Sequence, residues 1–224
     1  MLKLLVTGGS PYSRKVRIVL AEKGIECDQH VQSASKRPLD VFSKQNPNLA
    51  VPVLIDGEMT IFESNLIIEY LLDKFPGENS SRWGVPLAQR MTRPDHHWRD
   101  AKVLATLEAM ADIIVNMKFY LSSGVDVATV AYGRRQQTRF NTCLDWLEEQ
   151  ATTEGFVPGV FSVQDINLIC PLTYLDARGE ILKDTLDWHG RPRLEAIMKL
   201  YRQRPSVAST MPGPAENAVY SSAG

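Results

Sequence analysis

A serine–proline pair at the start of a helix is the feature that most constrains the fold of this chain. A short apolar strand, residues 2–6, runs into two glycines, and Ser10 and Pro11 then precede a helix with one apolar face that can end at Gly24. A serine hydroxyl can accept a hydrogen bond from a free N–H of the first turn, and proline needs no partner at the first helical position. Residues 2–24 therefore predict a strand, a turn and a capped helix.

The composition is typical of a globular protein and gives no sign of a charged partner. Hydrophobic residues make up 44% of the 224 residues, charged residues 23%, and the formal net charge is −1. This balance favours neither nucleic acid nor a membrane surface as a partner. The apolar run at the start is too short for a signal peptide, and no window is apolar enough to span a bilayer, so we expect a cytoplasmic protein.

The chain contains three cysteines, Cys27, Cys143 and Cys170, which lie far apart in the sequence. Their number is odd and they lack the spacing of metal ligands. We therefore expect buried, free thiols and no metal site.

Residues 1–76 alternate strand-type and helix-type patterns. A strong hairpin signal, an Asp-Gly pair at residues 56–57, joins two of the expected strands, and Pro76 followed by glycine stops the last helix. After the first strand and helix, the expected elements are a strand over 26–31, a short helix or loop over 36–43, strands over 51–55 and 59–62, and a helix around 66–71.

The rest of the chain has a helical pattern, after a break over residues 77–86 that we interpret as a linker. Long helices fit residues 87–121 and 127–152, in which small and apolar residues recur at intervals of three and four. From residue 211 small residues dominate, and we expect a loosely ordered tail.

Residues 161–166, Phe-Ser-Val-Gln-Asp-Ile, combine two signals for the start of a helix. Ser162 and Asp165 form a variant of the capping box, in which aspartate replaces the usual glutamate or glutamine. The spacing of Phe161 and Ile166 is that of a hydrophobic staple. We therefore expect a central helix over 163–177 and a structural role for Asp165.

Three segments together resemble the glutathione transferase family: the Ser-Pro-x-Ser start at 10–13, the Val-Pro turn at 51–52 and the Glu-Ser pair at 63–64. The resemblance covers essentially the whole chain and is most specific before the linker. It implies an α/β plus all-α fold class. The implied organisation is a thioredoxin-like βαβαββα N-terminal domain over 1–76, a linker over 77–86 and an all-helical C-terminal domain over 87–224.

The resemblance also implies glutathione as the co-substrate and a set of residues that bind it. Ser64 at a helix start offers a hydroxyl and free N–H groups to the γ-glutamyl carboxylate, and Glu63 can pair with the ammonium. The bond between Val51 and Pro52 is generally cis in the family, which would turn the Val51 backbone toward the cysteinyl backbone. Arg37 stands where the family often places a cation for the glycine carboxylate.

Each of these assignments has a plainer alternative. Glu63 and Ser64 could simply begin a helix, Pro52 could be a trans proline that begins a strand, and Arg37, like its neighbour Lys36, could be a solvated loop charge. Ala50 also departs from the family pattern, because it removes a side chain that often contacts the peptide. Whether this chain binds glutathione more weakly than the family in general therefore stays an open question.

Ser10 is the candidate for holding the sulfur of glutathione as a thiolate. Its hydroxyl lies in the positive potential of a helix N-terminus and can donate a hydrogen bond to the anion. Lowering the pKa of a thiol by two takes roughly 2.7 kcal/mol, which one charge-assisted hydrogen bond and the helix end together can supply. Ser13 and Tyr12 remain rivals, although alignment on residues 15–17 favours Ser10.

The candidates for the acceptor site are Tyr12, His97 and Tyr120, which would contact a hydrophobic electrophile. A polar and aromatic helix face, however, more often packs internally or forms a dimer surface. The resemblance implies a bacterial, serine-type glutathione transferase of the cytoplasm, a homodimer with a role in detoxification.

Two other functions remain open at this point. Residues 16–76 also resemble stringent starvation protein A, an RNA-polymerase-associated relative, which suggests a non-catalytic interaction protein. The retained Ser10-Pro11 pair favours the enzyme. A glutathione-dependent thioltransferase is disfavoured because no cysteine stands at position 10.

Overall fold

A four-stranded mixed sheet organises the first part of the chain. The structure, a computed structural model, describes residues 1–31, 44–77, 83–182 and 184–212. The strands are β1 (Leu2–Val6), β2 (Cys27–Val31), β3 (Val53–Asp56) and β4 (Met59–Phe62), and they lie in the order β2-β1-β3-β4. β1 pairs in parallel with β2, whereas the β1–β3 and β3–β4 pairs are antiparallel.

The central strand β1 contributes buried side chains to two apolar clusters. Leu4 and Val6 are fully buried in a large apolar cluster, whereas Leu5 lies in a smaller cluster with Val53. Helices α1 (Pro11–Lys23) and α2 (Ser64–Lys74) supply buried valine, isoleucine and leucine side chains to the larger cluster. Both faces of β1 are therefore covered, as expected for a strand whose residues are nearly all apolar.

Helix α1 begins and ends where the sequence predicts. Ser10 is the N-cap, with extended backbone angles, and its Oγ accepts the N–H of Ser13 at 3.2 Å. Pro11 occupies the first helical position. Gly24 ends the helix in the left-handed conformation, at φ 62°, which glycine adopts without a steric cost.

The second part of the chain is helical. It contains a short 3-10 helix (Pro94–His96) and the helices α3 (His97–Ser122), α4 (Ala131–Gln150), α5 (Val163–Ala177), α6 (Gly179–Leu182), α7 (Pro192–Tyr201) and α8 (Pro205–Ala208). Helix α5 is buried almost all round and packs against both α1 and α3, which confirms the expected central helix. Within the described ranges, every helix is too short or too polar to serve as a membrane span.

Helix α5 starts with a complete capping box. The Oγ of Ser162 accepts the N–H of Asp165 at 3.1 Å, and the Asp165 carboxylate accepts the N–H and the hydroxyl of Ser162 at 2.8 and 2.6 Å. The carboxylate also accepts the N–H of Phe156 at 3.0 Å. Gly155 lies so close that an added Cβ would stand 3.0 Å from both carboxylate oxygens. Asp165 is thus structural, as predicted.

Three predicted boundaries are wrong, each for a local reason. No helix runs through residues 87–93, because Leu87 instead bridges to Phe161 and Pro94 starts the 3-10 helix from which α3 continues. Helix α4 begins at Ala131 and not at residue 127, because Asp126 starts a turn. Its carboxylate accepts the N–H of residue 128, and its backbone carbonyl accepts the N–H of residue 129. β3 begins only after Pro52, which has no N–H to donate.

Several expectations lie outside the described residues. These are the short helix or loop over 36–43, with Lys36 and Arg37, and the tail from residue 213 onward. All three cysteines are free, as expected, but only Cys170 is buried, whereas Cys27 and Cys143 are half-buried.

Candidate active site

A cavity of about 230 Å³ brings together several residues that the sequence singled out. One group of lining residues belongs to the sheet side: Val51, Pro52, Glu63 and Ser64, with Asn46 and Ala50. The other group comes from two helices: Tyr12 of α1, and Glu108 and Asp112 of α3. Two larger surface grooves, of about 620 and 600 Å³, contain none of the predicted site residues.

The Val51–Pro52 peptide bond is cis, as the family resemblance implied. Two hydrogen bonds shape the preceding turn: Asn46 Nδ2 donates to the carbonyl of Ala50 at 2.7 Å, and the N–H of Asn48 donates to Asn46 Oδ1 at 2.9 Å. Neither the N–H nor the C=O of Val51 bonds to another described residue. Val51 therefore offers a backbone donor and acceptor at the cavity.

Glu63 has an unusual backbone conformation at the point where β4 leads into α2. Its φ of 68° and ψ of 118° lie where non-glycine residues are rare, at a cost of about 1–3 kcal/mol. Its carboxylate does not cap α2 but accepts a hydrogen bond from Asn48 Nδ2 at 2.8 Å. Ser64, only 3% exposed, is the first residue of α2. An acid and a helix N-terminus thus meet at one cavity.

Ser10 is half-buried at the start of α1 and does not itself line the cavity. Its Oγ accepts the N–H of Ser13, and no described residue accepts its hydroxyl proton. The first turn of α1 contains no acidic residue. The helix start therefore has positive potential and a hydroxyl proton that is still available.

The two rivals of Ser10 occupy different positions. Ser13 is fully buried and does not line the cavity. Tyr12 does line it, but its hydroxyl donates to the carboxylate of Asp112. Burial and then this carboxylate raise the pKa of Tyr12 well above its ordinary value. Tyr12 is therefore a neutral phenol whose proton is already engaged.

A buried lysine stands behind the helical side of the cavity. Lys15, whose side chain is 2% exposed, places its Nζ 2.7 and 3.0 Å from the two carboxylate oxygens of Glu108. The same Nζ lies 2.9 Å from Oδ1 of Asn167 and 3.4 Å from Oδ1 of Asn65. Lys15 thus joins α1 to α2, α3 and α5, and it neutralises Glu108.

The other predicted acceptor residues do not reach this cavity. His97, at the start of α3, lies 2.9 Å from the Thr92 hydroxyl and packs edge-on against Trp98. Tyr120, near the other end of α3, packs edge-on against Tyr132. Between them stand Glu108 and Asp112, which sequence reasoning missed. Their spacing of four residues was a signal for a shared helix face, but not for which face meets α1.

Two family models match the chain. The one described as glutathione S-transferase, N-terminal domain, matches residues 4–79, and the one described as glutathione S-transferase, C-terminal domain, matches residues 97–199.

Curated relatives match over shorter stretches. A stringent starvation protein A homolog of Coxiella burnetii is 45% identical over 65 residues, which are 29% of this chain and 31% of that protein. Glutathione S-transferase U12 of Arabidopsis thaliana is 30% identical over 113 residues, 49% of this chain and 44% of that protein. The matched part therefore spans less than half the length of either relative.

Solved structures match over almost the whole chain. A glutathione S-transferase of Methylobacillus flagellatus with glutathione bound has a TM-score of 0.76 at 25% identity, over 95% of this chain and 100% of that one. A glutathione transferase family member of Pseudomonas fluorescens Pf-5, also with bound glutathione, has a TM-score of 0.75 with the same identity and coverage. With its two matching models and this fold, the chain belongs to the glutathione S-transferase family.

Proposed function

We propose that this protein is a glutathione transferase that binds glutathione in the cavity between the cis Val51–Pro52 bond and α3 and ionises its thiol at the start of α1. The observation that carries the proposal is the meeting of three features at one cavity: an open Val51 backbone edge, the Glu63 carboxylate and the N-terminus of α2. The bound glutathione in two structural relatives supports the same ligand.

The three features match the chemistry of the γ-glutamylcysteinyl part of glutathione. The Glu63 carboxylate pairs with the ammonium, and the Ser64 hydroxyl and the free N–H groups of α2 bind the carboxylate beside it. The N–H and C=O of Val51 bond the cysteinyl backbone as an added strand would. Arg37 remains the proposed partner of the glycine carboxylate.

Ser10 then stabilises the thiolate. Of the three hydroxyl groups near this helix start, that of Ser13 is fully buried and that of Tyr12 already donates to Asp112, whereas the half-buried hydroxyl of Ser10 keeps its proton for a ligand. A charge-assisted hydrogen bond is worth about 1.5–3 kcal/mol, and a helix end adds up to about 1 kcal/mol. Together they account for a fall of about two in the pKa of the thiol.

The transfer itself needs no further reactant. The thiol of glutathione loses its proton to solvent, and the sulfur forms a bond to the electrophilic carbon. With an aryl chloride as acceptor, the carbon–chlorine bond breaks and chloride leaves with its electron pair. The protein contributes ionisation and orientation, which bring the two reactants together.

A homodimer, a cytoplasmic location and a role in detoxification belong to the same proposal. Apolar side chains that a monomer would leave in water support the dimer: Met59 of β4, Leu66 of α2 and Trp98 of α3 are all exposed. Free cysteines are typical of proteins in a reducing compartment, where glutathione is kept reduced.

The alternative is a non-catalytic interaction protein. It is favoured by the 45% identity to a stringent starvation protein A homolog over 65 residues. Under this alternative, the cavity keeps its shape but glutathione is not activated there.

Calorimetry with glutathione and turnover of an aryl chloride separate the two functions. We expect Glu63→Ala to weaken glutathione binding roughly 10- to 100-fold, because it removes a charge-assisted hydrogen bond. Ser10→Ala should keep binding within about threefold but lose most of the turnover. Glu69→Gln, an exposed acid of α2 outside the cavity, is the matched control.

One result would decide against the enzyme, and another would decide only against the role of Ser10. Wild-type protein that does not bind glutathione favours the interaction protein. Binding that persists with equal turnover in wild type and Ser10→Ala removes Ser10 from the mechanism.

A further inference from the structure

The helical side of the cavity carries carboxylates where the sequence predicted the aromatic residues His97 and Tyr120. Glu108 and Asp112 stand one turn apart on α3, and both line the cavity together with Tyr12. With Glu63, three carboxylates line one space of about 230 Å³. The three charges are balanced by different partners.

The negative charge of Glu108 is balanced by a cation of the protein itself. Both of its oxygens lie within 3.0 Å of the ammonium of Lys15, which is itself almost completely buried. A buried cation at this distance cancels most of the field of the carboxylate. Glu108 therefore adds little negative charge to the cavity.

The negative charge of Glu63 is left for glutathione to balance. Among the described residues, the Glu63 carboxylate is hydrogen-bonded to the neutral amide of Asn48 alone, at 2.8 Å. Under the proposed function, the ammonium of the γ-glutamyl group pairs with it. Once glutathione is bound, Glu63 too is neutralised.

Asp112 differs from both, because its hydrogen-bond partner carries no charge. Its partner is the hydroxyl of Tyr12, which is a neutral donor, and no lysine, arginine or histidine among the described residues lies within ion-pair distance of it. One carboxylate can accept about four hydrogen bonds, so the Tyr12 hydroxyl leaves most of its capacity free. The residue is exposed at the cavity and can meet a ligand.

We infer that Asp112 makes the acceptor site select electrophiles that carry a positively charged group, such as a primary ammonium, and disfavour anionic ones. This inference rests on the proposed function, because it concerns the second substrate of the same cavity. It replaces the plain hydrophobic electrophile that the sequence suggested with a cationic, partly apolar one. The Tyr12 ring contributes the apolar surface, and Asp112 both fixes that ring and supplies the charge.

Three aryl chlorides of the same shape test this selectivity: 1-chloro-2-nitrobenzenes with an aminomethyl, a carboxamide or a carboxylate group at position 4. In each, the thiolate forms a carbon–sulfur bond and chloride leaves with the electron pair of the carbon–chlorine bond. For each protein, kcat/KM is expressed relative to the neutral carboxamide. Intrinsic reactivity then cancels when variant and wild type are compared for one substrate.

Asp112→Asn removes the charge but keeps an oxygen that can accept the Tyr12 hydroxyl. We expect its relative kcat/KM to fall about three- to tenfold for the ammonium compound and to rise by a similar factor for the carboxylate, the size of one exposed charge at short range. Glu149→Gln removes one exposed charge from α4, outside the cavity, and should keep the wild-type ratios. Raising the ionic strength should shrink the wild-type preference.

Calorimetry with the three glutathione conjugates gives a second readout that does not need turnover. A preference for the ammonium conjugate that disappears in Asp112→Asn supports the inference. Equal ratios in wild type and Asp112→Asn, with the neutral conjugate bound, overturn it and leave the proposed function standing. Failure of wild-type protein to bind the neutral conjugate or glutathione overturns both.

Discussion

Helices α1 and α5 begin in nearly the same way and serve different purposes. Each starts with a serine N-cap, Ser10 or Ser162, whose Oγ accepts the N–H three residues further on, at 3.2 and 3.1 Å. Both caps have extended backbone angles, and both helices lie against each other in the middle of the molecule. The third residue of each helix makes the difference.

At α5, that residue is Asp165, whose buried carboxylate accepts the N–H and the hydroxyl of the cap. At α1, it is Ser13, and no described residue takes the proton of Ser10. A helix N-terminus favours a negative charge. At α5 the chain supplies that charge itself, whereas at α1 it is left for a ligand, which we propose to be the thiolate of glutathione.

The largest effect expected from this difference is the pH dependence that Asp165 contributes. Burial raises its pKa to about 6, even though its hydrogen bonds with Ser162 and Phe156 act in the opposite direction. An aspartate in the unfolded chain has a pKa near 3.9. The folded protein therefore holds this proton over a range where the unfolded chain has lost it, so stability falls as the pH rises from about 4 to 6.

The measurement is urea unfolding at several pH values, of wild type against Asp165→Asn. The free energy of unfolding of wild type, relative to the variant, should drop by up to about 3 kcal/mol between pH 4 and 6. Asp184→Asn, at an exposed acid, is the control and should follow wild type. Parallel curves for wild type and Asp165→Asn would contradict a buried, structural acid at α5.

A smaller effect separates the two serines directly. Ser162→Ala removes a cap and also a hydrogen bond to a buried carboxylate, so we expect a loss of about 2–3 kcal/mol in the free energy of unfolding. Ser10→Ala removes only a half-buried cap, with an expected loss of about 1 kcal/mol. Turnover per folded molecule should fall only in Ser10→Ala. Equal losses of stability, or a fall of turnover in Ser162→Ala, would remove the distinction.

The parts of the site that sequence predicts are those carried by neighbouring residues. The cap at Ser10 and the capping box at Ser162 each depend on groups within four positions of one another. Such contacts form wherever the local backbone allows them, so the sequence alone indicates them. The cis bond at Pro52 was implied by the family resemblance and not by local physics.

The helical side of the cavity could not be predicted in the same way. Which face of α3 meets Tyr12 depends on how α1 and α3 pack across α5, and the pattern of α3 is apolar on more than one face. His97 and Tyr120 were chosen as polar aromatic residues, yet the structure places Glu108 and Asp112 at the cavity. The hydrogen bond between Asp112 and Tyr12 joins residues 100 positions apart, so no local sequence pattern indicates it.

The ionisation of bound glutathione tests the central claim most directly. Thiolate absorbance in the ultraviolet, recorded against pH in the presence of saturating glutathione, gives the pKa of the bound thiol for wild type, Ser10→Ala and the rival variant Ser13→Ala. We predict a thiol pKa about two below the free value of about 8.5 in wild type and Ser13→Ala, and a return toward the free value in Ser10→Ala alone. A bound thiol with the same pKa in wild type and Ser10→Ala would contradict the claim that the start of α1 holds the sulfur as an anion.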